Sequence, residues 1–277
     1  MIHMIRRIVT IGLLCFGGLL TASVGPAQAQ GLIWTLPPDG SEVRYEGTYS
    51  YVDRRPGSSV GEIDPWTRHL WIRSVGAKMA EYKGETVPCR WIEIKVVTGR
   101  VTEDGLDPGP TGARLYKILV PETAVAGKLV DDEQIPVSMI PIVAGYRKFG
   151  DGPVMPITSK VLQVYPLISL LQHYKQLKAE TGQAENPGIR LGDVQAVKYT
   201  GEMKMESRRS RSHNTGVLWR SRDVPFGVAK WKVKILLEAK GEAESRSEFK
   251  PVSEITVEMQ AHEIAENAQS ELPLPSD

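Results

Sequence analysis

Apolar and polar residues alternate along much of this chain. In residues 42–51, EVRYEGTYSY, Val43, Tyr45, Gly47, Tyr49 and Tyr51 alternate with Glu42, Arg44, Glu46, Thr48 and Ser50. A period of two means a strand with one buried and one wet face. The same reading applies to 68–75 and 78–84. It applies also to 89–97, where Ile92, Ile94 and Val96 share a side, and the KGET between the last two segments predicts a hairpin. Residues 113–120 are extended again, 195–206 set Val197, Tyr199, Met203 and Met205 against lysines and glutamates, and 253–259 set Ile255, Val257 and Met259 against Glu254, Thr256 and Glu258. Residues 219–235, WRSRDVPFGVAKWKVKI, interleave Lys230, Lys232 and Lys234 with Trp231, Val233 and Ile235. If 228–237 and 253–259 are neighbours, a lysine row faces a glutamate row outside, while the apolar residues turn inward.

Other segments break the alternation. Residues 102–112, 184–188 and 207–214 read as loops, and PETAVAG (121–127) as a helical turn closed by Gly127. Pro136 and Pro141 exclude a long helix within 129–160. Residues 164–182 predict the one clear helix. Pro166 sits in its first turn, Leu167, Leu170, Leu171, Tyr174 and Leu177 follow helical spacing, Lys175 and Lys178 suit its end, and Gly182 caps it. Val224-Pro225-Phe226-Gly227 predicts a type I turn. Together these patterns predict a mostly β fold with α (α+β): a curved antiparallel sheet or incomplete barrel packed around one main amphipathic helix.

The first residues change the charge balance. MIHMIRR is basic, IVTIGLLCFGGLLTASV is apolar, and Ala27 and Ala29 fit a signal-peptidase site. We therefore expect a signal peptide over 1–29, a single β-rich domain over 30–265, and a disordered C-terminal tail over 266–277. The expected location is periplasmic or extracellular. Removing Arg6 and Arg7 from the 34 basic residues leaves 32 against 33 acidic, a net charge of −1. That balance offers no electrostatic footprint for nucleic acid. Of the two cysteines only Cys89 remains beyond the leader, so no disulfide within the chain is expected despite export.

Trp219, Ser221, Val224, Pro225, Gly227 and Lys230 form W-x-S-x-x-V-P-x-G-x-x-K. This strand-turn-strand pattern resembles one in bacterial secreted proteins similar to the periplasmic lipoprotein carriers of the LolA/LolB type, over roughly residues 195–259. The resemblance implies an incomplete barrel with helices against its concave face and an interior that receives acyl chains. It carries over no lipid-contacting residue by motif, and a shared fold does not establish a shared function.

Catalytic and metal chemistry find little support. His69, His173, His213 and His262 are scattered, and AHEIAEN (261–267) lacks the second histidine of H-E-x-x-H. No G-x-S-x-G, P-loop or G-x-G-x-x-G occurs. Cys89 reads as a small buried hydrophobe, and the acidic pairs Glu103-Asp104 and Asp131-Asp132 read as solvated turns. The expectation is an exported non-enzymatic protein without cofactor, catalytic residue or metal ligand. It would bind a lipid, a lipoprotein or another hydrophobic partner, with peripheral association to the envelope, and Phe226, Trp219 and Trp231 are the ligand-binding candidates. An envelope interaction module and a hydrolase with an unassigned site remain as alternatives.

Overall fold

The computed structural model describes residues 31–54, 65–103, 105–109, 112–125, 140–159, 161–162, 168–172, 174 and 177–273. The leader expected over 1–29, Gly127, Asp104, Asp131-Asp132, Pro136, Pro166, Leu167, His173, Lys175 and residues 274–277 lie outside them.

The alternating segments form strands. In chain order they are β1 (Glu42–Asp53), β2 (Trp66–Tyr82), β3 (Glu85–Thr102), β4 (Gly105–Asp107), β5 (Arg114–Pro121), β6 (Ile140–Pro141) and β7 (Ala144–Phe149). They continue with β8 (Met155–Pro156), β9 (Val161–Leu162), β10 (Lys178–Glu185), β11 (Ala196–Glu206), β12 (Ser210–Arg220), β13 (Val228–Ala239) and β14 (Lys250–Ala265). Twelve of them make one open antiparallel sheet in the order β10-β11-β12-β13-β14-β1-β2-β3-β5-β7-β8, with β4 beside β3; β6 and β9 pair separately. Two meanders thus meet where β14 pairs with both β13 and β1. Lys83 and Gly84 have φ of 54° and 82°, so the β2–β3 corner has left-handed backbone at both central positions, as tight hairpins require.

One face of the sheet, called the inner face below, is apolar across strands. Val43, Ile72, Ile94 and Tyr116 form one row from β1 to β5. Tyr199, Leu218, Trp231 and Met259 form another from β11 to β14. All eight are buried. Burial of one such side chain contributes about 1.5–3 kcal/mol, so these rows dominate the energy of the sheet. Leu32, Ile33 and Trp34 join the same core, as do Ile168, Leu171, Tyr174 and Leu177. On the opposite face Lys230 and Lys232 reach Glu258 at 3.4 and 3.2 Å, and Lys234 reaches Glu254 at 2.9 Å. The neighbouring lysine and glutamate rows expected from the alternation are therefore present.

The expected α+β architecture needs correction: the fold is nearly all β, and among the described residues there is no main amphipathic helix. Among the described residues of this stretch, Ile168, Leu171, Tyr174 and Leu177 face the core. Three of its carbonyls are taken by side chains from the sheet. Arg68 Nη1 donates to Ile168 O (2.6 Å), Trp231 Nε1 to Ser169 O (3.1 Å) and Asn214 Nδ2 to Leu170 O (3.1 Å). Leu170 has φ of 59°, outside the right-handed helical region. From Lys178 the chain is a fully exposed edge strand, so Lys178 and Gly182 belong to β10 rather than to a helix end.

Two further expectations shift. The loop read over 207–214 is a short turn, because β12 already begins at Ser210 and Arg211 is held by Glu238 of β13 at 2.6 Å. The turn at 224–227 is not type I. Phe226 has φ 65° and ψ −5°, values of the third position of a type II turn that glycine usually fills. Gly227 N donates to Val224 O (2.9 Å), and the complete burial of the Phe226 ring offsets the backbone strain.

Candidate functional site

The three aromatic candidates separate. Trp231 and Phe226 have no exposed surface and belong to the core. Trp231 packs edge-on against Tyr45 with ring centres 5.0 Å apart, while its Nε1 is used by Ser169 O. Trp219 lies on the outer face of β12. Its Nε1 donates to Glu185 (2.7 Å), and Lys198 and Lys230 sit 5.7 and 5.4 Å from its ring centre, so it braces the charged surface.

The inner face itself divides into a filled half and an open half. The boundary is Tyr174. Its ring lies over Gly201 of β11 and Gly216 of β12, paired in register, where any Cβ would collide with it. Its hydroxyl donates to Asn214 Oδ1 at 2.6 Å. One row further along the strands, Met203, Asn214, Ile235, Ile255 and Tyr51 run across β11, β12, β13, β14 and β1. Ile235 and Ile255 are half-buried, and Tyr51 is 37% exposed. Trp66, opposite Tyr49 on β2, is 43% exposed, and Met205, two residues beyond Met203, is 54% exposed. The sheet thus continues its apolar rows past the point where 168–177 covers them.

Two arginines stand on the covered side of this boundary, Arg68 in the row of Trp231, Met259 and Gly47, and Arg114 in the row of Tyr45, Leu70 and Val96. Arg68 follows Trp66 by two residues and therefore shares its face; Arg114 shares a face with Tyr116, Ile118 and Val120. Arg68 is buried and donates to Thr98 Oγ1 (2.9 Å) as well as to Ile168 O, and its guanidinium lies 4.6 Å from the Tyr49 ring centre. Burial, and after it the nearby Arg114, lower its pKa to about 10. None of the sequence candidates pointed here. The signal was available in the alternation itself, which sets one cation on the apolar side of WTRHLW and another on that of ARLYKILV.

The outer face of β1, β2, β3 and β5 holds a charge ladder. Glu42, Arg73, Glu93 and Lys117 are paired in register across four strands. Glu93 is fully buried. Its carboxylate accepts from Arg73 Nη1 (3.1 Å), Glu271 N (3.0 Å), Ser270 Oγ (2.6 Å) and Leu272 N (3.0 Å). Lys117 Nζ donates to Ser270 Oγ (2.8 Å) and Leu272 O (3.1 Å). Within the segment expected to be a disordered tail, Ser270, Glu271 and Leu272 are bound to the sheet, with Leu272 buried, and supply three of the four partners of the buried Glu93 carboxylate.

A second polar group lies nearby. Glu46 of β1 approaches His69 Nε2 at 3.5 Å, His262 Nε2 at 3.4 Å and Arg44 at 3.3 Å. Arg44 Nη2 lies 2.7 Å from His262 Nδ1. A guanidinium only donates, so Nδ1 carries the lone pair and the imidazole proton sits on Nε2, toward Glu46. Burial, with Arg44 and His262 adding to it, holds the His69 pKa below its ordinary value against the raising effect of Glu46. Among the described residues no set of three His, Cys, Asp or Glu side chains is placed to hold a metal. Cys89 is buried beside Trp91 and Leu119, and burial pushes its thiol pKa up, opposite to what a nucleophile requires.

No known protein-family model matches the chain, and no curated protein matches it either. Among the described residues no helix is long and apolar enough to cross a membrane.

Proposed function

We propose that this is an exported, non-enzymatic protein that binds an apolar ligand of the acyl-chain type along the open half of the inner face. The observation that carries this reading is the row Met203, Asn214, Ile235, Ile255, Tyr51, together with Trp66 beside it: residues in register across the sheet, apolar at every position but Asn214, and left partly uncovered by the segment that fills the rest. Isolated apolar residues on a surface need no explanation, but a row shared by several strands marks a contact surface. The ligand lies along these strands rather than inside an enclosed chamber, since Tyr174, Trp231 and Phe226 occupy the other half. Export follows from the basic and apolar leader, and the resemblance to the lipoprotein carriers points to the same class of ligand.

The test is to purify the protein from its native compartment, extract it with organic solvent and identify co-purified acyl chains by mass spectrometry. Binding of a fluorescent fatty-acyl probe is then compared with that of Ile235→Asp and Ile255→Asp. A charge in the middle of the row lowers affinity by about tenfold or more, the equivalent of roughly 1.4 kcal/mol. An extract empty of lipid, together with probe binding unchanged in both variants, refutes the reading.

A further inference from the structure

Two methionines stand at the β11 end of the open row. Met203 belongs to the row itself and packs, half-buried, against the main core. Met205 follows it by two residues and shares its face. It is 54% exposed and stands opposite Ser212, which in turn stands opposite the half-buried Leu237 of β13. Strand surfaces favour β-branched and aromatic side chains, as Ile235, Ile255 and Tyr51 illustrate along the rest of the row. A thioether differs from these in being flexible, polarizable and open to oxidation. The other sulfurs among the described residues are placed elsewhere. Met259 and Cys89 are fully buried, and Met155 is half-buried on β8 at the far edge of the sheet. Met79 is 59% exposed but lies near the β2–β3 corner, at the end of β2 away from Trp66. Met203 and Met205 are therefore the sulfurs that border the open apolar surface.

We propose that Met205, with Met203 behind it, is an oxidative modification site at which a hydroperoxide converts the thioether to a sulfoxide and so weakens the hold on the apolar ligand. This rests on the apolar-ligand reading above. A sulfur lone pair attacks the terminal peroxide oxygen, and the S–O bond forms as the O–O bond breaks. The proton of the transferred hydroxyl passes to the departing hydroxide or alkoxide, which leaves as water or an alcohol. Sulfur gives up two electrons and the peroxide takes them. The product sets a polar, chiral group where the surface offered a flexible apolar one. Met205 reacts ahead of Met203 because it is the more exposed of the two. A ligand seated on the row covers both sulfurs, so the empty protein is modified and the loaded protein is spared. Methionine sulfoxide reductases, one for each epimer of the sulfoxide, restore the thioether.

The full chain is treated with hydrogen peroxide at neutral pH, oxygen uptake is mapped by peptide mass spectrometry, and the fluorescent fatty-acyl probe is titrated before and after. Met205 is expected to gain one oxygen about tenfold or more faster than the buried Met259. Probe affinity then falls about fivefold, the scale of a polar atom forced into an apolar contact. Saturating probe slows the reaction at Met205 and leaves that at Met79 unchanged. A chain carrying both Met203→Leu and Met205→Leu, swaps that conserve volume, binds the probe as the parent does and is insensitive to peroxide. Met79→Leu keeps the parent's sensitivity. Should the double variant fail to fold, the exposed Met205→Leu single variant carries the test. Unaltered affinity with Met205 fully oxidised, a loss of affinity that persists in the leucine variant, or a Met205 as slow to react as Met259 overturns the modification site and leaves the apolar-ligand reading standing. Failure of the untreated protein to bind the probe overturns both.

Discussion

At the scale of single residues, the arrangement depends on what is missing as much as on what is present. Gly201 and Gly216 form a paired gap in two adjacent strands, and the ring of Tyr174 occupies it. Gly216→Ala places a methyl group where the ring already sits. Overpacking of that kind costs about 1–3 kcal/mol. A lower urea midpoint, without change in the slope of the transition, is the expected outcome; a midpoint equal to that of the parent would mean that the ring is free to move aside. Neither glycine was legible as a seat for an aromatic ring, because a strand sequence gives no hint of what crosses its face. The inward turn of Trp231 and Val233 was legible, since period two fixes it once the strand is recognised. Their roles were not: a tryptophan beside a charged row reads equally well as core or as ligand contact until its burial is known.

At the scale of elements, the strands were legible and the helix was not. Leu170, Leu171, Tyr174 and Leu177 satisfy helical spacing, yet a helix requires its carbonyls for its own amides. Here Arg68, Trp231 and Asn214 take those carbonyls, and all three come from strands distant in sequence. Local pattern cannot register such competition. The same holds for 266–273, whose polar composition reads as a tail although Glu93 binds its backbone. That contact is testable by amide hydrogen exchange at neutral pH. The amides of Glu271 and Leu272 are protected in the parent chain. In Glu93→Gln their protection falls while that of the β2 and β3 amides persists, because the lost acceptor belongs to the segment's anchor. Protection of both amides that survives in the variant contradicts the assigned anchoring role.

At the scale of the whole molecule, the outer charge rows link stability to pH. The bond from Lys234, reinforced by Arg54, holds the Glu254 carboxyl below the usual carboxylate range although burial acts the other way. Burial also raises Glu258, but its bonds to Lys232 and Lys230 leave it lowered on balance. Each therefore has a folded pKa below its unfolded one. The stabilisation is complete above the unfolded value, near 4.3, and is lost as pH falls through the folded value. Urea midpoints measured from pH 6 to pH 3 decline, and Lys234→Met makes the decline shallower. An identical pH profile in the variant would show that the row contributes nothing to the linkage.

The position of β14 between β13 and β1 has a consequence for how the chain is made. Every other strand of the sheet leaves the ribosome before β14 does. Until it arrives, β1 and β13 each expose a long line of unsatisfied amides and carbonyls beside apolar side chains. Nascent chains are consequently sticky along two seams at once, and a neighbouring molecule's β14 fits either seam as well as their own. Swapped and aggregated species are therefore the characteristic hazard of producing this protein, and supplying the missing strand quickly is its remedy.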